Sequence, residues 1–224
     1  MEKKKENNNQ KRKLALVMLS GGLDSAVALY WSLKHGFRVN TITFDYFLRS
    51  KREIKAAADF AKFVGCAHYA INLSFLKEIE DCKYKKLNPR LGEAPSAYIS
   101  SRNMIFYGIA SSVSELINAK YIVGGHNKDD ARTYPDSSPT FFEKFNETTS
   151  IGLYSGAMTG RVILPLSNLS KAQVILLGKK LGVPFELTWS CYTSNKVPCG
   201  KCHSCILRES SFRSVGIEDP LLKR

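Results

Sequence analysis

The segment "LALVMLSGGLDSAVALYWSLKHG", residues 14–36, contains the evidence that decides the fold. Its uninterrupted apolar run, residues 14–19, predicts a strand of a parallel sheet, because both faces of such a strand are buried. A helix is predicted from Asp24, and Gly36 follows its last turn as a typical helix-ending residue. The adjacent glycines Gly21 and Gly22 predict a tight turn between strand and helix. This segment therefore predicts the first strand–helix unit of an α/β domain.

The same alternation continues along the chain. Strands are predicted over residues 37–46, 67–73, 120–125 and 161–166, and helices over residues 50–65, 101–119 and 170–182. Residues 74–100 read as irregular, residues 126–138 as a long loop, and residues 139–149 as a short helix. The prediction is a doubly wound α/β fold with a parallel sheet of about five strands. We expect a disordered basic tail over residues 1–13, the α/β domain over residues 14–184 and a cysteine-rich appendage over residues 185–224.

Composition restricts the class of protein but not its activity. The chain has 224 residues and a formal net charge of +13, to which its basic first residues contribute. A basic surface suits nucleotides and nucleic acids equally well. The apolar run before Ser20 is too short for a secretory signal, and no run is long enough to span a bilayer. We therefore expect a cytoplasmic protein with no membrane partner.

The glycine loop, residues 20–25 with the sequence "SGGLDS", lies where a parallel sheet binds ligands. Glycines allow backbone N–H groups to approach a phosphate, and the following helix directs its positive end at that charge. Ser20 and Ser25 add hydroxyl donors, and Asp24 either caps the helix or helps to hold Mg²⁺. Neither of the two better-known phosphate-binding motifs is present. A purely structural turn with a capping aspartate is the alternative.

Four cysteines lie close together near the end of the chain, at Cys191, Cys199, Cys202 and Cys205. Clustered thiols in a chain without a secretion signal indicate a metal more often than disulfides. Four thiolates close a tetrahedral Zn²⁺ site and leave no open position for catalysis. An iron–sulfur cluster is the competing interpretation, and His203 is expected to be a surface neighbour and not a ligand.

The glycine loop resembles the pyrophosphatase loop of the N-type ATP pyrophosphatases, which have the adenine nucleotide alpha hydrolase-like fold. Across residues 14–219 the chain resembles the 7-cyano-7-deazaguanine synthases of the QueC family. The resemblance includes "WSCYTSNKVPCGKCHSCILRESSFRSVGIED" with its arginine and late aspartate, "GGHNKDDARTYPD", the "SRN" at 101–103 and the lysine of "PLSNLSKAQV". Together these motifs are far more specific than the loop alone.

The resemblance implies an ATP-dependent ligase that adenylates 7-carboxy-7-deazaguanine and uses ammonia to form 7-cyano-7-deazaguanine for queuosine or archaeosine biosynthesis. It implies catalytic roles for Lys171, Asp130 and Asp24. The implied ATP contacts are Leu19, Ser20, Gly21, Gly22, Leu23, Asp24, Ser25, Ala26 and the main chain of Phe44. The implied substrate contacts are Arg102, Asn103, Asn127, Tyr134 and Asp136. ATP, Mg²⁺ and Zn²⁺ are the expected cofactors. A homodimer is compatible with this interpretation, and nucleic acid is not required by it.

The chain departs from the family pattern at two places. Phe47 and Leu48 replace a glycine and a glutamine, and Ser137 and Ser138 replace a cysteine and an arginine. Three alternatives therefore stay open. A defence-associated relative would adenylate the same acid but transfer it to a protein amine. The others are a tRNA-binding modification enzyme, which would use the basic tail and the cysteines to grip phosphates, and a non-catalytic nucleotide-binding module.

Overall fold

A computed structural model of the chain describes residues 12–80, 91, 94 and 98–222. The strands are β1 (Leu14–Met18), β2 (Arg38–Asp45), β3 (His68–Asn72), β4 (Tyr121–Val123) and β5 (Arg161–Ile163). The helices are α1 (Leu23–Lys34), α2 (Lys51–Val64), α3 (Leu76–Glu80), α4 (Arg102–Leu116), α5 (Lys128–Thr133), α6 (Pro139–Gly152), α7 (Lys171–Leu181) and α8 (His203–Ser214). Within these residues, no helix is long and apolar enough to cross a membrane. Most of the predicted tail, residues 1–13, and most of residues 81–97 lie outside the described residues.

The five strands form one parallel sheet in the order β3-β2-β1-β4-β5. Successive side chains of β1 face opposite sides of this sheet, because a strand alternates its side chains. Ala15 and Val17 pack with residues of α1, α2 and α7. Leu16 packs on the other face with residues of α4 and α6. The predicted doubly wound sheet is therefore confirmed, and its centre, β1, is buried on both faces.

Two helices begin and end at the residues that the sequence signals indicate. Ser50 caps α2 and Ser170 caps α7, each in a reciprocal arrangement with the side chain three residues later. Gly65 and Gly182 end the same helices in the left-handed conformation.

The prediction of a long loop over residues 126–138 was wrong, because α5 and a 3-10 turn at Pro135–Ser137 form there. The short helix predicted over residues 139–149 extends to Gly152. The segment predicted as irregular, 74–100, contains α3, and the appendage contains α8, which no periodic pattern had indicated.

The edge strand β5 is covered by one side chain of α6. The amide of Asn146 donates to the Val162 carbonyl at 3.0 Å and accepts from the Val162 N–H at 2.7 Å. The main-chain groups of Arg161 and Ile163 form hydrogen bonds on the β4 side of the strand. The N–H and C=O of Val162 therefore point away from the sheet. Asn146 thereby replaces the missing neighbouring strand at this position.

A buried ion pair connects α8 to the last described residues. Arg208 forms a bidentate pair with Asp219, with N–O distances of 2.6 and 2.8 Å, and the two side chains are 5% and 3% exposed. The Arg208 guanidinium also donates to the Thr188 hydroxyl at 2.7 Å and to the Phe185 carbonyl at 3.1 Å. This arginine therefore joins three separate parts of residues 185–222. The domain boundary at residue 184 stays a prediction.

Candidate functional site

The glycine loop is shaped by its own two serines. The Ser25 hydroxyl accepts from the Ser20 N–H at 3.1 Å and donates to the Gly22 carbonyl at 2.9 Å. The Ser20 hydroxyl accepts from the Gly22 N–H at 3.2 Å. Gly21 has φ +82°, and a Cβ there would collide with the backbone carbonyl of Glu53. The loop therefore needs glycine at position 21 both for its backbone angle and for its packing against α2.

Two further glycines, at the end of β4, pack against this loop and its surroundings. A Cβ on Gly125 would lie 3.0 Å from the Ser25 nitrogen, so β4 passes directly beside the first turn of α1. A Cβ on Gly124 would occupy the place of the Tyr107 hydroxyl. Gly124 and Gly125 were missed as site residues, although two glycines at the end of a predicted strand signal a close backbone approach.

Lys171 and Asp24 form an ion pair that joins α7 to α1. Their side chains are 19% and 21% exposed. The Lys171 N–H also donates to the Asp129 carboxylate at 3.2 Å. The second carboxylate oxygen of Asp24, Oδ1, is buried and has no partner among the described residues. A buried acceptor without a partner is costly unless a ligand or cation completes it, so Asp24 is poised to bind one.

A cavity of about 300 Å³ opens at the carboxyl ends of β1, β2 and β4. Nine predicted site residues line it: Leu19, Ser20, Asp24, Ser25, Phe44, Arg102, Asn103, Asp130 and Tyr134. Lys171, Gly22 and Leu23 instead line a smaller cavity of about 160 Å³ on the other side of Asp24. The side chains of Leu23 and Ala26 are buried in the core, so only their main chain is available to a ligand. A groove of about 580 Å³ between α6 and β5 contains none of the predicted site residues in its described lining.

The main chain of Phe44 faces the end of β1. The Leu19 N–H donates to the Ile42 carbonyl at 2.8 Å, whereas Thr41 and Asp45 turn their main chain toward β3. By this alternation the N–H and C=O of Phe44 point the same way as those of Ile42. Because β1 ends at Met18, they lie beyond its last paired residue and at the cavity wall.

Asn127 and Asp130 form a reciprocal cap at the start of α5. The Asn127 side chain accepts from the Asp129 and Asp130 N–H groups at 2.8 and 3.2 Å, and the Asp130 carboxylate accepts from the Asn127 N–H at 3.0 Å. Asn127 is buried and does not line the cavity, so its side chain serves the helix. Burial and the neighbouring charge of Asp24 raise the pKa of Asp130 above its ordinary value. Asp24 and Asp130 therefore form a pair of carboxylates that a cation would relieve.

Asp136 holds the start of α4. Its carboxylate accepts from the Asn103 N–H at 3.0 Å and from the Asn103 side-chain amide at 3.3 Å. Ser101, just before the helix, has a left-handed backbone with φ 53°. Arg102 lies at the cavity wall, where it donates to the Tyr46 hydroxyl at 3.4 Å, and Tyr134 stacks at 6.5 Å on Tyr98. Thus Arg102 and Tyr134 present their side chains to the cavity, while Asn103 and Asp136 are occupied with each other.

The positions at which the chain departs from the family pattern have local explanations. Phe47 and Leu48 are exposed and do not line the cavity. Ser137 is a hydrogen-bond partner of the Asn103 amide at 2.9 Å, and Ser138 caps α6 by accepting from the Phe141 N–H.

Among the cavity residues outside the predicted site set are Arg49, Tyr107 and His126. The Arg49 guanidinium donates to the Ser20 carbonyl and lies 3.5 Å from the Glu53 carboxylate, so it supports the glycine loop from the segment just before α2. Burial and the positive charge of Arg102 lower the pKa of His126 to about 4, which keeps its imidazole neutral. Tyr107 resembles an ordinary core residue of a helix, and no sequence pattern separates it from one.

The four predicted cysteines converge. The sulfur atoms of Cys191, Cys199, Cys202 and Cys205 all lie within 4.8 Å of one another. Sulfurs bound to one tetrahedral Zn²⁺ are about 3.8 Å apart, given a Zn–S distance of about 2.3 Å. Hydrogen bonds from Thr193 and from the N–H groups of Lys201 and Cys202 lower the pKa of Cys199 to about 6. The cluster is therefore suited to one thiolate-bound metal ion, and His203 is exposed at its side.

The cluster is also connected to the glycine loop. The Trp189 N–H donates to the Gly21 carbonyl at 2.8 Å, and its indole N–H donates to the Cys191 carbonyl at 2.6 Å. Trp189 is 2% exposed and packs with the cysteines, while the Arg52 guanidinium lies 5.2 Å from its ring centre. The cysteine-rich appendage thereby positions the back of the loop, although none of its described residues lines the 300 Å³ cavity.

Known proteins resemble this chain over nearly its whole length. A family model described as "Queuosine biosynthesis protein QueC" matches residues 14–216. A 7-cyano-7-deazaguanine synthase of Thermoplasma acidophilum is 38% identical over 218 residues, which cover 94% of this chain and 92% of the relative. A 7-cyano-7-deazaguanine synthase of Nostoc punctiforme is 36% identical and is covered to 98%, with 93% of this chain matched.

A solved structure, the U34-tRNA thiolase NcsA from Methanococcus maripaludis with its 4Fe–4S cluster, matches 95% of this chain and 74% of its own. Its TM-score is 0.53 and its sequence identity is 18%, so it supports the fold alone. The family model and the two synthases, in contrast, cover the sheet, the glycine loop and the cysteine cluster together. The chain belongs to the QueC family.

Proposed function

We propose that the chain is an ATP-dependent ligase that converts 7-carboxy-7-deazaguanine and ammonia into 7-cyano-7-deazaguanine. The observation that carries this proposal is the match to 7-cyano-7-deazaguanine synthases over more than nine-tenths of the chain. The cavity next to the glycine loop is consistent with it, because it combines an expected phosphate site with a second, separate set of polar groups. The family names also make the protein an enzyme of 7-deazaguanine metabolism.

In this proposal ATP binds along the ends of β1 and β2. The first turn of α1 directs its N–H groups and its positive dipole at the phosphates, with the Ser20 hydroxyl as a further donor, while the Ser25 hydroxyl keeps the loop in shape through the Gly22 carbonyl. The N–H and C=O of Phe44, which face the cavity, read the edge of the adenine. The Lys171 ammonium group moves from Asp24 toward the phosphates, where it neutralises charge on the α-phosphate and on the departing pyrophosphate.

A carboxylate is a poor electrophile, so it must first be activated. One of its oxygens attacks the α-phosphorus of ATP, the bond to pyrophosphate breaks, and an acyl-adenylate forms. Ammonia then adds to the acyl carbon and AMP leaves with the electron pair of the broken C–O bond, which gives an amide. Activation of the amide oxygen by a second ATP, followed by loss of two protons from nitrogen and release of AMP, gives the nitrile.

The deazaguanine end is assigned to the far side of the cavity. Arg102 supplies N–H donors for the purine-like edge of the substrate, and Tyr134 supplies an aromatic face and a hydroxyl. Asn103, Asn127 and Asp136 act through structure, since their hydrogen bonds fix the starts of α4 and α5. These three are therefore assigned as positioning residues and not as direct contacts.

Two metals fit the side chains that are present. Asp24, with its unpartnered Oδ1, and Asp130 would hold Mg²⁺, which adds positive charge beside the phosphates. The four cysteines would hold Zn²⁺ in a purely structural role. Sulfurs this close together enclose a single ion, whereas an iron–sulfur cluster would have to separate them to make room for its own sulfides.

The test incubates the purified protein with 7-carboxy-7-deazaguanine, ATP, Mg²⁺ and ammonium, and follows AMP and products by mass spectrometry. AMP together with the nitrile is the expected result. AMP with only the amide, or with an adduct on a protein amine, would redirect the proposal to the defence-type activity. Asp24→Asn should abolish AMP formation with unchanged zinc content, whereas Asp59→Asn, the same change on the exposed side of α2, should leave AMP formation unaffected.

A further inference from the structure

Tyr107 carries a buried hydroxyl with no hydrogen-bond partner among the described residues. The residue is 1% exposed and its side chain borders the 300 Å³ cavity. Its ring is fixed by Phe142, whose centroid lies 4.5 Å away, and by His126 at 5.7 Å. A buried hydroxyl without a partner lowers stability, and because Tyr107 also borders the cavity, a ligand held there can complete it.

The place of this hydroxyl is set by the two glycines that follow β4. It lies against Gly124, and the next residue, Gly125, lies against Ser25 and Asp24 in the first turn of α1. Tyr107, Ser25 and Asp24 all line the 300 Å³ cavity, so Tyr107 borders the same space as the expected α-phosphate site. In the proposed reaction the acyl group is joined to that phosphate, so the acyl group lies within reach of Tyr107.

The electrostatic surroundings keep the hydroxyl a donor. Complete burial, together with the charges of Asp130 and Asp136, raises the pKa of Tyr107 above its ordinary value. The phenol therefore holds its proton throughout the working pH range. A fixed, protonated donor is the type of group that stabilises a developing oxyanion.

We propose that Tyr107 is a catalytic residue whose hydroxyl donates a hydrogen bond to the acyl oxygen of the adenylated substrate. As the nitrogen of ammonia bonds to the acyl carbon, the carbonyl electron pair moves onto this oxygen, and it returns when AMP leaves. Tyr107 keeps its own proton, and the surplus proton on nitrogen passes to solvent. The inference rests on the proposed function of the same cavity.

The test compares Tyr107→Phe with Ser114→Ala. Both variants remove a buried hydroxyl of α4 that lacks a partner, but Ser114 does not line the cavity. Neither variant should lose stability in urea denaturation, because each removes a buried group that has no partner. Tyr107→Phe should lower kcat for AMP formation on the order of 100-fold and leave the KM for ATP unchanged, whereas Ser114→Ala should keep the wild-type kcat.

The possible outcomes separate this inference from the proposed function. Wild-type AMP formation with an equally active Tyr107→Phe enzyme would overturn the role of the hydroxyl while leaving the ligase proposal intact. A loss of stability in Tyr107→Phe that Ser114→Ala does not share would also overturn it, because the hydroxyl would then be structural. Failure of the wild-type protein to form AMP from the acid would overturn the proposed function and this inference together.

Discussion

Replacing Arg208 by methionine should lower the stability of the protein more than most single changes outside the 300 Å³ cavity. The guanidinium is 5% exposed and donates to Asp219, Thr188 and the Phe185 carbonyl, so its loss leaves the Asp219 carboxylate buried without a counter-charge. Breaking a buried pair from one side costs about 3–5 kcal/mol. For a chain of this size that corresponds to a fall in Tm of about 6–20 °C.

Urea denaturation followed by circular dichroism measures the loss, and Arg213→Met is the matched control. Arg213 lies on the same helix and pairs with Glu209, but these side chains are 78% and 46% exposed. Exposed pairs contribute only about 0–1 kcal/mol, so the control should unfold nearly as the wild type does. Arg208→Met/Asp219→Asn should recover part of the loss by removing the unpaired charge. If Arg208→Met is no less stable than Arg213→Met, the buried pair does not hold the appendage and the reasoning fails.

Three further outcomes follow from the site. Gly21→Ala should lower the free energy of unfolding by more than Gly36→Ala does. Both glycines have positive φ, so alanine at either position adds backbone strain of about 1–3 kcal/mol, but only at Gly21 would the new Cβ also collide with another atom. Equal losses in the two variants would contradict the close packing of the loop on α2. Asp130→Asn should abolish AMP formation and yet stabilise the protein at pH 7. The folded protein holds the Asp130 proton more tightly than the unfolded chain does, so the stability of the wild type falls as the pH rises from the ordinary aspartate pKa of about 3.9 through the raised pKa of Asp130. Urea titrations at pH 4 and pH 7 should therefore show that the variant gains stability over the wild type as the pH rises. The same difference in stability at both pH values would refute the raised pKa. Cys199→Ser should release bound zinc, measured by mass spectrometry of the native protein, and lower the Tm by several degrees; a variant with wild-type zinc content would show that three thiolates suffice.

The sheet could be predicted because each strand carries its own signal. Local features predict these elements: the apolar run of β1, the β-branched residues of β2 and the glycines that end α1 and α2. Each can be recognised without knowing how the neighbouring segments fold. The capping box at Ser170 and Gln173 is equally local, and it places α7 correctly. The cysteine cluster followed from spacing and residue type alone.

The cavity was less predictable because its walls are made of pairings between distant residues. The "NKDD" segment contains a capping box between Asn127 and Asp130, but its polar composition imitates a loop and hid α5. Tyr107 and His126 become site residues only through packing against β4 and α6, which no local pattern encodes. The Arg208–Asp219 pair spans eleven residues without periodicity, so its geometry emerges only with α8 in place.

The side chain of Asn146 has a consequence for how this chain avoids self-association while it folds. An uncovered strand edge is a template on which another chain can add a strand, and parallel sheets expose such edges for long periods because they form slowly. The two hydrogen bonds between Asn146 and Val162 use the main-chain groups of β5 to which an added strand would bind. They form only when α6 docks against β5. Aggregation through the β5 edge is therefore confined to chains in which α6 has not yet docked, and the docking of this one helix sets how long that edge stays open in newly made protein.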